Sequence, residues 1–194
     1  MASVKRLCVF CGAASEVDAT YRNAATQLGG MLAENGIELV FGGGRVGLMG
    51  LTADATLRGG GKAIGIIPRH LHDVEIGHSG LSELHVVDTM HERKARMFAR
   101  ADAFAILPGG LGTLDETFEI ITWKQLGLHD KPIVIVDVAG YWAPLLHMMD
   151  RIIASGFAPE RARSLYHTVA TVEDLLPLLR TLPEPQNRGT SRWS

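Results

Sequence analysis

Ala103-Phe-Ala-Ile-Leu-Pro-Gly-Gly-Leu-Gly-Thr-Leu-Asp-Glu116 decides how this 194-residue chain folds. Five consecutive apolar residues, Ala103 to Leu107, suit a strand buried on both faces. Glycines then turn the chain, and Thr113 marks the start of a helix. The same order of strand, small-residue turn and helix occurs twice more. Val4 to Phe10 runs into Cys11-Gly-Ala-Ala-Ser15, and Ile37 to Phe41 runs into Gly42-Gly-Gly-Arg-Val-Gly47.

Outward from these three units, Ala63 to Ile67, Leu84 to Val87 and Ile133 to Val136 are further strand-like runs, with amphipathic stretches between them. Asp18 is placed to cap a helix that Gly36 ends, and Gly59-Gly60-Gly61 stops another that begins near Gly47. Strands this apolar, alternating with helices, predict an α/β fold: a Rossmann-like, doubly wound parallel sheet of six to seven strands, helices on both faces, in one domain spanning residues 1–182. Such sheets bind ligands beyond the carboxyl ends of their strands, where all three turns fall. The polar, histidine-bearing stretch from Pro68 to Glu83 reads as a loop long enough to cover a site. Residues 183–194 lack apolar rhythm and read as a flexible tail.

Composition narrows the partner. Nineteen Lys and Arg are scattered among twenty-one Asp and Glu, for a net charge of -2, so no basic stripe offers itself to a nucleic acid. No apolar run approaches the roughly 20 residues of a membrane helix, and the first residues carry no secretory signature. A cytoplasmic protein acting on a small molecule is expected. Cys8 and Cys11 have no second pair to complete a zinc site and read as small apolar residues of a reducing compartment.

The glycine turns let the backbone approach a ligand closely, and each following helix aims unpaired N–H groups at any anion there. Gly43 and Gly44 of one turn, and Gly109, Gly110 and Gly112 of another, are candidates to hold a phosphate. Gly42-x-Gly44-x-x-Gly47 also matches the dinucleotide fingerprint, but the next strand ends in Pro68-Arg69 rather than in the acid that meets a ribose. Arg69 facing a 2′-phosphate keeps an NADP-binding oxidoreductase as an alternative, beside a nucleotide carrier or sensor that performs no hydrolysis.

Thr113-Leu-Asp-Glu116 has two readings. As a capping box, Glu116 reaches back to the amide of Thr113. As a functional group, Glu116 beside the glycine turn is held ionised by the helix dipole and serves as a base or cation stabiliser. Thr89-Met-His-Glu92 is a second capping box. Arg93 and Lys94 then place positive charge near a helix N-terminus, against the dipole, which is explained if both face an anion or developing charge at the strand ends. His70, His72 and His78 lack the carboxylate or cysteine framework of a metal site. None of Lys5, Lys62, Lys94, Lys124 and Lys131 has the distinctive setting of a Schiff-base lysine.

Phe41-Gly-Gly-Gly-Arg-Val-Gly-Leu-Met-Gly50, Met90-His-Glu-Arg-Lys94, Pro108-Gly-Gly-Leu-Gly-Thr-Leu-Asp-Glu116 and Ile121-Thr-Trp-Lys-Gln-Leu-Gly-Leu-His-Asp-Lys-Pro132 resemble the LONELY GUY cytokinin-activating phosphoribohydrolases, over roughly Leu7 to Leu182. Relatives of that family have been labelled lysine decarboxylases. The resemblance implies hydrolysis of N6-modified adenosine 5′-monophosphates, or of AMP, to free base and ribose 5-phosphate, without metal or organic cofactor. It implies Arg93 and Glu116 as the catalytic pair, and Glu75, Lys94, Gly109, Gly110, Gly112, Thr113 and Thr122 as nucleotide contacts. It also implies a homodimer with sites near the interface. The family's first turn reads Cys-Gly-Ser-Ser, whereas Cys11-Gly12-Ala13-Ala14-Ser15 displaces one hydroxyl and lacks another.

Overall fold

The computed structural model describes residues 4–75 and 77–186, residues 73–75 by backbone alone. The apolar runs ahead of the three turns become β1 (Arg6–Phe10), β2 (Glu38–Phe41) and β5 (Ala103–Ile106), while Ala63–Pro68, Glu83–Val87 and Ile133–Val136 form β3, β4 and β6. A further strand, β7 (His167–Val169), is three half-exposed residues at the sheet edge, too short to show periodicity. Between them lie α1 (Ala19–Glu34), α2 (Gly47–Arg58), α3 (Arg69–Glu75), α4 (Met90–Arg100), α5 (Leu111–Gln125), α6 (Ala143–Ala154) and α7 (Leu175–Thr181).

Alternation along the strands builds two cores. Leu7, Val9, Leu39, Phe41, Ala103, Ala105, Val134 and Val136 meet α1, α2 and α7 on one face. Cys8, Phe10, Val40, Phe104, Ile106, Ile133 and Ile135 meet α4, α5 and α6 on the other. Neighbouring side chains on a strand point to opposite faces, so a strand buried on both is apolar at every position. The helix ends follow their local chemistry: Asp18 accepts the Thr20 N–H at 2.8 Å to open α1, and Gly59 closes α2.

Every strand pairing of the sheet is parallel among the described residues, in the order β4-β3-β2-β1-β5-β6-β7. The chain winds outward from β1 to β4 and then crosses back to β5 on the other side of β1. The winding therefore reverses between β1 and β5, and their diverging connections leave a crevice beyond their carboxyl ends.

The stretch from Pro68 to Glu83 is not one loop. Pro68 ends β3 and residues 69–75 form α3, whose Leu71 reaches the crevice. Past α3, His78 N–H donates to Gly43 O at 3.3 Å, and the His78 ring meets Asp54 at 2.8 Å. Of the expected tail, residues 187–194 lie outside the described residues, while Gln186 N–H donates to Asp130 Oδ2 at 2.8 Å. No helix among the described residues is long and apolar enough to cross a membrane.

Candidate active site

A cleft of about 510 Å³ occupies the crevice. Gly12, Ala13 and Ala14 after β1 form one wall, and Pro108, Gly109, Gly110, Gly112 and Thr113 after β5 form the facing one. Gly42, Met90 and Arg93 close it on the β2 side, Tyr21 and Tyr141 on the β6 side, and Glu116 lies in its floor.

The Thr113 capping box does not form. Gly110 is the N-cap of α5, without a side-chain cap, and the helix begins at Leu111. Glycine adopts the extended cap conformation easily, so the helix starts earlier than the hydroxyl signal suggested. Thr113 falls inside the first turn, where its carbonyl accepts the Thr117 hydroxyl at 2.7 Å. Glu116 enters the second turn and its side chain turns away from the helix N-terminus, with Oε1 3.3 Å from Arg93 Nη1. Among the described residues no side chain caps the first turn, whose N–H groups lie beside the cleft.

The environment of Glu116 reverses the expectation that the dipole holds it ionised. Burial pushes its carboxyl up to about 7; attraction to Arg93 opposes this, and repulsion from Asp115 adds to it. The dipole's influence is confined to the first turn, whereas the Glu116 side chain, 10% exposed, has lost most of its water. A carboxyl raised in the folded state contributes stability that is fully present below its ordinary value of 4.5 and is lost as pH rises through about 7. Urea denaturation is expected to show wild-type stability falling across that window by about 3 kcal/mol relative to Glu116→Gln.

Arg93 is held on three sides. Its Nε donates to Ile66 O within β3 at 3.2 Å, Nη1 lies 3.3 Å from Met90 Sδ, and Nη2 rests over Gly42. A Cβ on Gly42 would stand 2.0 Å from Nη2, so the seat requires glycine. The second capping box forms in part: Thr89 Oγ1 accepts the Glu92 N–H at 3.1 Å, while Glu92 Oε2 accepts the N–H of Asp88, one residue ahead of the cap, rather than that of Thr89. The misplaced charges are thereby explained, in different ways. Arg93 faces Glu116 and the cleft, whereas Lys94 Nζ lies 3.1 Å from both Asp115 and Glu119 on α5, away from the cleft lining. The anion that Lys94 faces is the protein's own.

Of the residues nominated from sequence, Arg93, Gly109, Gly110, Gly112, Thr113 and Glu116 come together at the cleft. Gly43 and Gly44 do not. Gly43 packs against the backbone of β3 and Gly44 bridges to Gly77, so the protein itself covers this turn. The start of α2 is likewise spent internally: Gly47 N–H donates to Ser15 Oγ at 3.3 Å and Leu48 N–H to Gly12 O at 2.9 Å, which leaves Gly42 as the one fingerprint glycine at the cleft among the described residues. Arg69 lies exposed, 3.8 Å from Asp88. Thr122 is exposed on α5 beyond the cleft, and Glu75 ends α3, its side chain outside the described residues. Sequence reading missed Gly42, Tyr21, Leu71 and Tyr141 as lining residues; the rule that sites gather at strand ends would have nominated Tyr141, which follows β6. Cys11 also lines the cleft, but burial pushes its thiol far up, leaving it unreactive.

Comparison with known proteins identifies the family. Residues 49–179 match a family model described as "Possible lysine decarboxylase". Among the described residues no lysine lines the cleft, so that description finds no Schiff-base residue there. The chain is 45% identical over 181 residues to the cytokinin riboside 5′-monophosphate phosphoribohydrolase LOG of Oryza sativa subsp. japonica, covering 93% of this chain and 75% of that one. It is 46% identical over 175 residues to a cytokinin riboside 5′-monophosphate phosphoribohydrolase of Arabidopsis thaliana, covering 90% and 82%. Among solved structures, a molybdenum cofactor carrier protein from Chlamydomonas reinhardtii superposes with a TM-score of 0.70 at 18% identity over 90% of this chain and 95% of that one. The molybdenum cofactor binding protein of Rippkaea orientalis gives 0.69 at 20% identity over 91% and 95%. These two share the fold. The parallel sheet, the glycine loop on α5 and the identity across most of the chain place this protein in the LONELY GUY family of cytokinin riboside 5′-monophosphate phosphoribohydrolases.

Proposed function

We propose that the cleft hydrolyses the N-glycosidic bond of adenosine 5′-monophosphates, N6-modified or plain, releasing the free base and ribose 5-phosphate. The observation that carries this reading is the buried Glu116–Arg93 pair set beside the uncapped N-terminus of α5. One end of the cleft offers backbone donors to a dianionic phosphate, and the other offers a carboxylate and a guanidinium to the reacting bond.

Departure of a purine builds positive charge on the ribose. Ionised Glu116 stabilises that charge or takes a proton from the attacking water, and its partly desolvated setting strengthens either role. Arg93 balances the carboxylate and meets negative charge developing on the leaving base. The phosphate, held at Gly109 to Thr113, fixes the sugar relative to Glu116 and so converts binding energy into alignment. The chemistry uses no metal or organic cofactor. Leu48, Met49, Leu71 and Met90 give the cleft an apolar side suited to a purine and its substituent.

The protein acts on this small molecule in the cytoplasm, without nucleic acid or membrane, as a homodimer. Supporting the dimer, Leu111, 85% exposed at the cleft rim, shares a face of α5 with exposed Thr122, and Leu126 and Leu128 lie exposed just beyond. Light scattering is expected to give twice the chain mass, and Leu126→Glu with Leu128→Glu to give a monomer; a monomeric wild type contradicts the dimer. Lys94, Thr122 and Glu75 then act by organising α5 or from the rim. The function is tested by chromatography of products from AMP, isopentenyl-AMP, ADP and adenosine. Base release confined to the monophosphates is expected. Equal turnover of adenosine would remove the phosphate from the account, and AMP binding without any release would indicate a carrier.

A further inference from the structure

We propose that Tyr141 is a positioning residue for the glycine loop, its hydroxyl holding the Gly109 peptide in the orientation that admits a phosphate. The proposal rests on the phosphate reading of that loop. Tyr141 Oη donates to Gly109 O at 2.7 Å, which among the described residues is the one side-chain hydrogen bond to the backbone of residues 108–112. Gly110 and Gly112 have open space where a Cβ would stand, so no neighbouring atom packs against the loop at those two positions among the described residues.

The other side of Gly109 is closed. A Cβ there would stand 2.1 Å from Thr113 Oγ1 and 2.9 Å from Gly12 N, while Gly12 N–H donates to Pro108 O at 3.0 Å. Gly109 is thus backed by α5 and the first turn and clasped in front by Tyr141. A peptide plane carries its carbonyl and the next N–H in opposite directions. Fixing the Gly109 carbonyl therefore fixes the Gly110 N–H. If this plane turned over, a carbonyl oxygen would take the place of a donor, which repels an anion and removes one of its hydrogen bonds.

The segment that delivers Tyr141 is built with strain. Ala139 sits at φ 53°, ψ 29°, and Gly140 follows at φ 74°, two left-handed residues in succession. Asp137 Oδ1 accepts the Trp142 N–H at 2.6 Å, and Tyr141 N–H donates to Val138 O at 3.1 Å, closing the turn. The phenol ring stands edge-on to Tyr21 at 5.4 Å, which locates the ring independently of the hydroxyl. Tyr141→Phe therefore removes the clasp and leaves the wall.

The test is calorimetric binding of ribose 5-phosphate and of adenine, with steady-state kinetics on AMP, for wild type and Tyr141→Phe. The variant is expected to bind ribose 5-phosphate about tenfold more weakly and to show a matching rise in KM, with a far smaller change in kcat, adenine affinity within about twofold, and an unaltered melting temperature. Unchanged ribose 5-phosphate affinity, or equal losses for ribose 5-phosphate and adenine, overturns the proposal. A wild type that binds ribose 5-phosphate but releases no base from AMP overturns the hydrolase reading alone, because the binding comparison does not need turnover. A wild type that releases base from AMP but binds no ribose 5-phosphate overturns the positioning proposal alone.

Discussion

Glu116→Gln is expected to lower kcat on AMP by about 10³-fold or more while nucleotide binding persists. The substitution keeps the shape of a side chain enclosed beside Arg93 and removes only the group that can carry negative charge or accept a proton. The loss therefore belongs to the transition state and shows in kcat and kcat/KM rather than in KM. Because burial holds the carboxyl near 7, its ionised fraction rises across the neutral range. Wild-type kcat/KM is accordingly expected to climb with pH up to about 7 and then level, as the free enzyme loses this proton. A decline across the same range would assign Glu116 the role of an acid.

The second large effect comes from a residue with no reactive group. Gly42→Ala is expected to cost about 10²-fold in kcat with a melting temperature close to that of wild type. The added methyl meets the guanidinium of Arg93 and the sulfur of Met49, the ends of flexible side chains, so the fold yields at little cost. What is displaced is Arg93, which loses its alignment with Glu116. A misplaced Arg93 also leaves Glu116 buried without its counter-charge, which raises the carboxyl further and moves the acid limb of the pH profile upward. Thermal unfolding and pH-dependent kinetics on one variant separate this from simple destabilisation.

The reach of sequence reading differed from residue to residue for physical reasons. The interior strands announced themselves because burial on both faces demands unbroken apolar runs, as in Ile133–Val136. Strand β7 borders water, is three residues long and leaves no such trace. Short helix α3 was hidden because its polar, histidine-rich composition resembles a loop. At Glu116 the choice between cap and catalytic group depended on where α5 begins. Glycine at 110 moved that start ahead of Thr113, and the carboxylate turned from its own amides to Arg93. Arg93 and Lys94 carry the same charge at adjacent positions, and only the packing of α4 on α5 separates one that faces the cleft from one that faces Asp115 and Glu119. Tyr141 lies 32 residues from Gly109 in sequence and reaches it because β6 is the neighbour of β5 in the sheet.

The most direct measurement is quantitation of both products from AMP over one time course. The account predicts free adenine and ribose 5-phosphate appearing in equal amounts with wild type and neither with Glu116→Gln. Release of phosphate or adenosine in place of ribose 5-phosphate, or undiminished adenine release by the Gln variant, would contradict it.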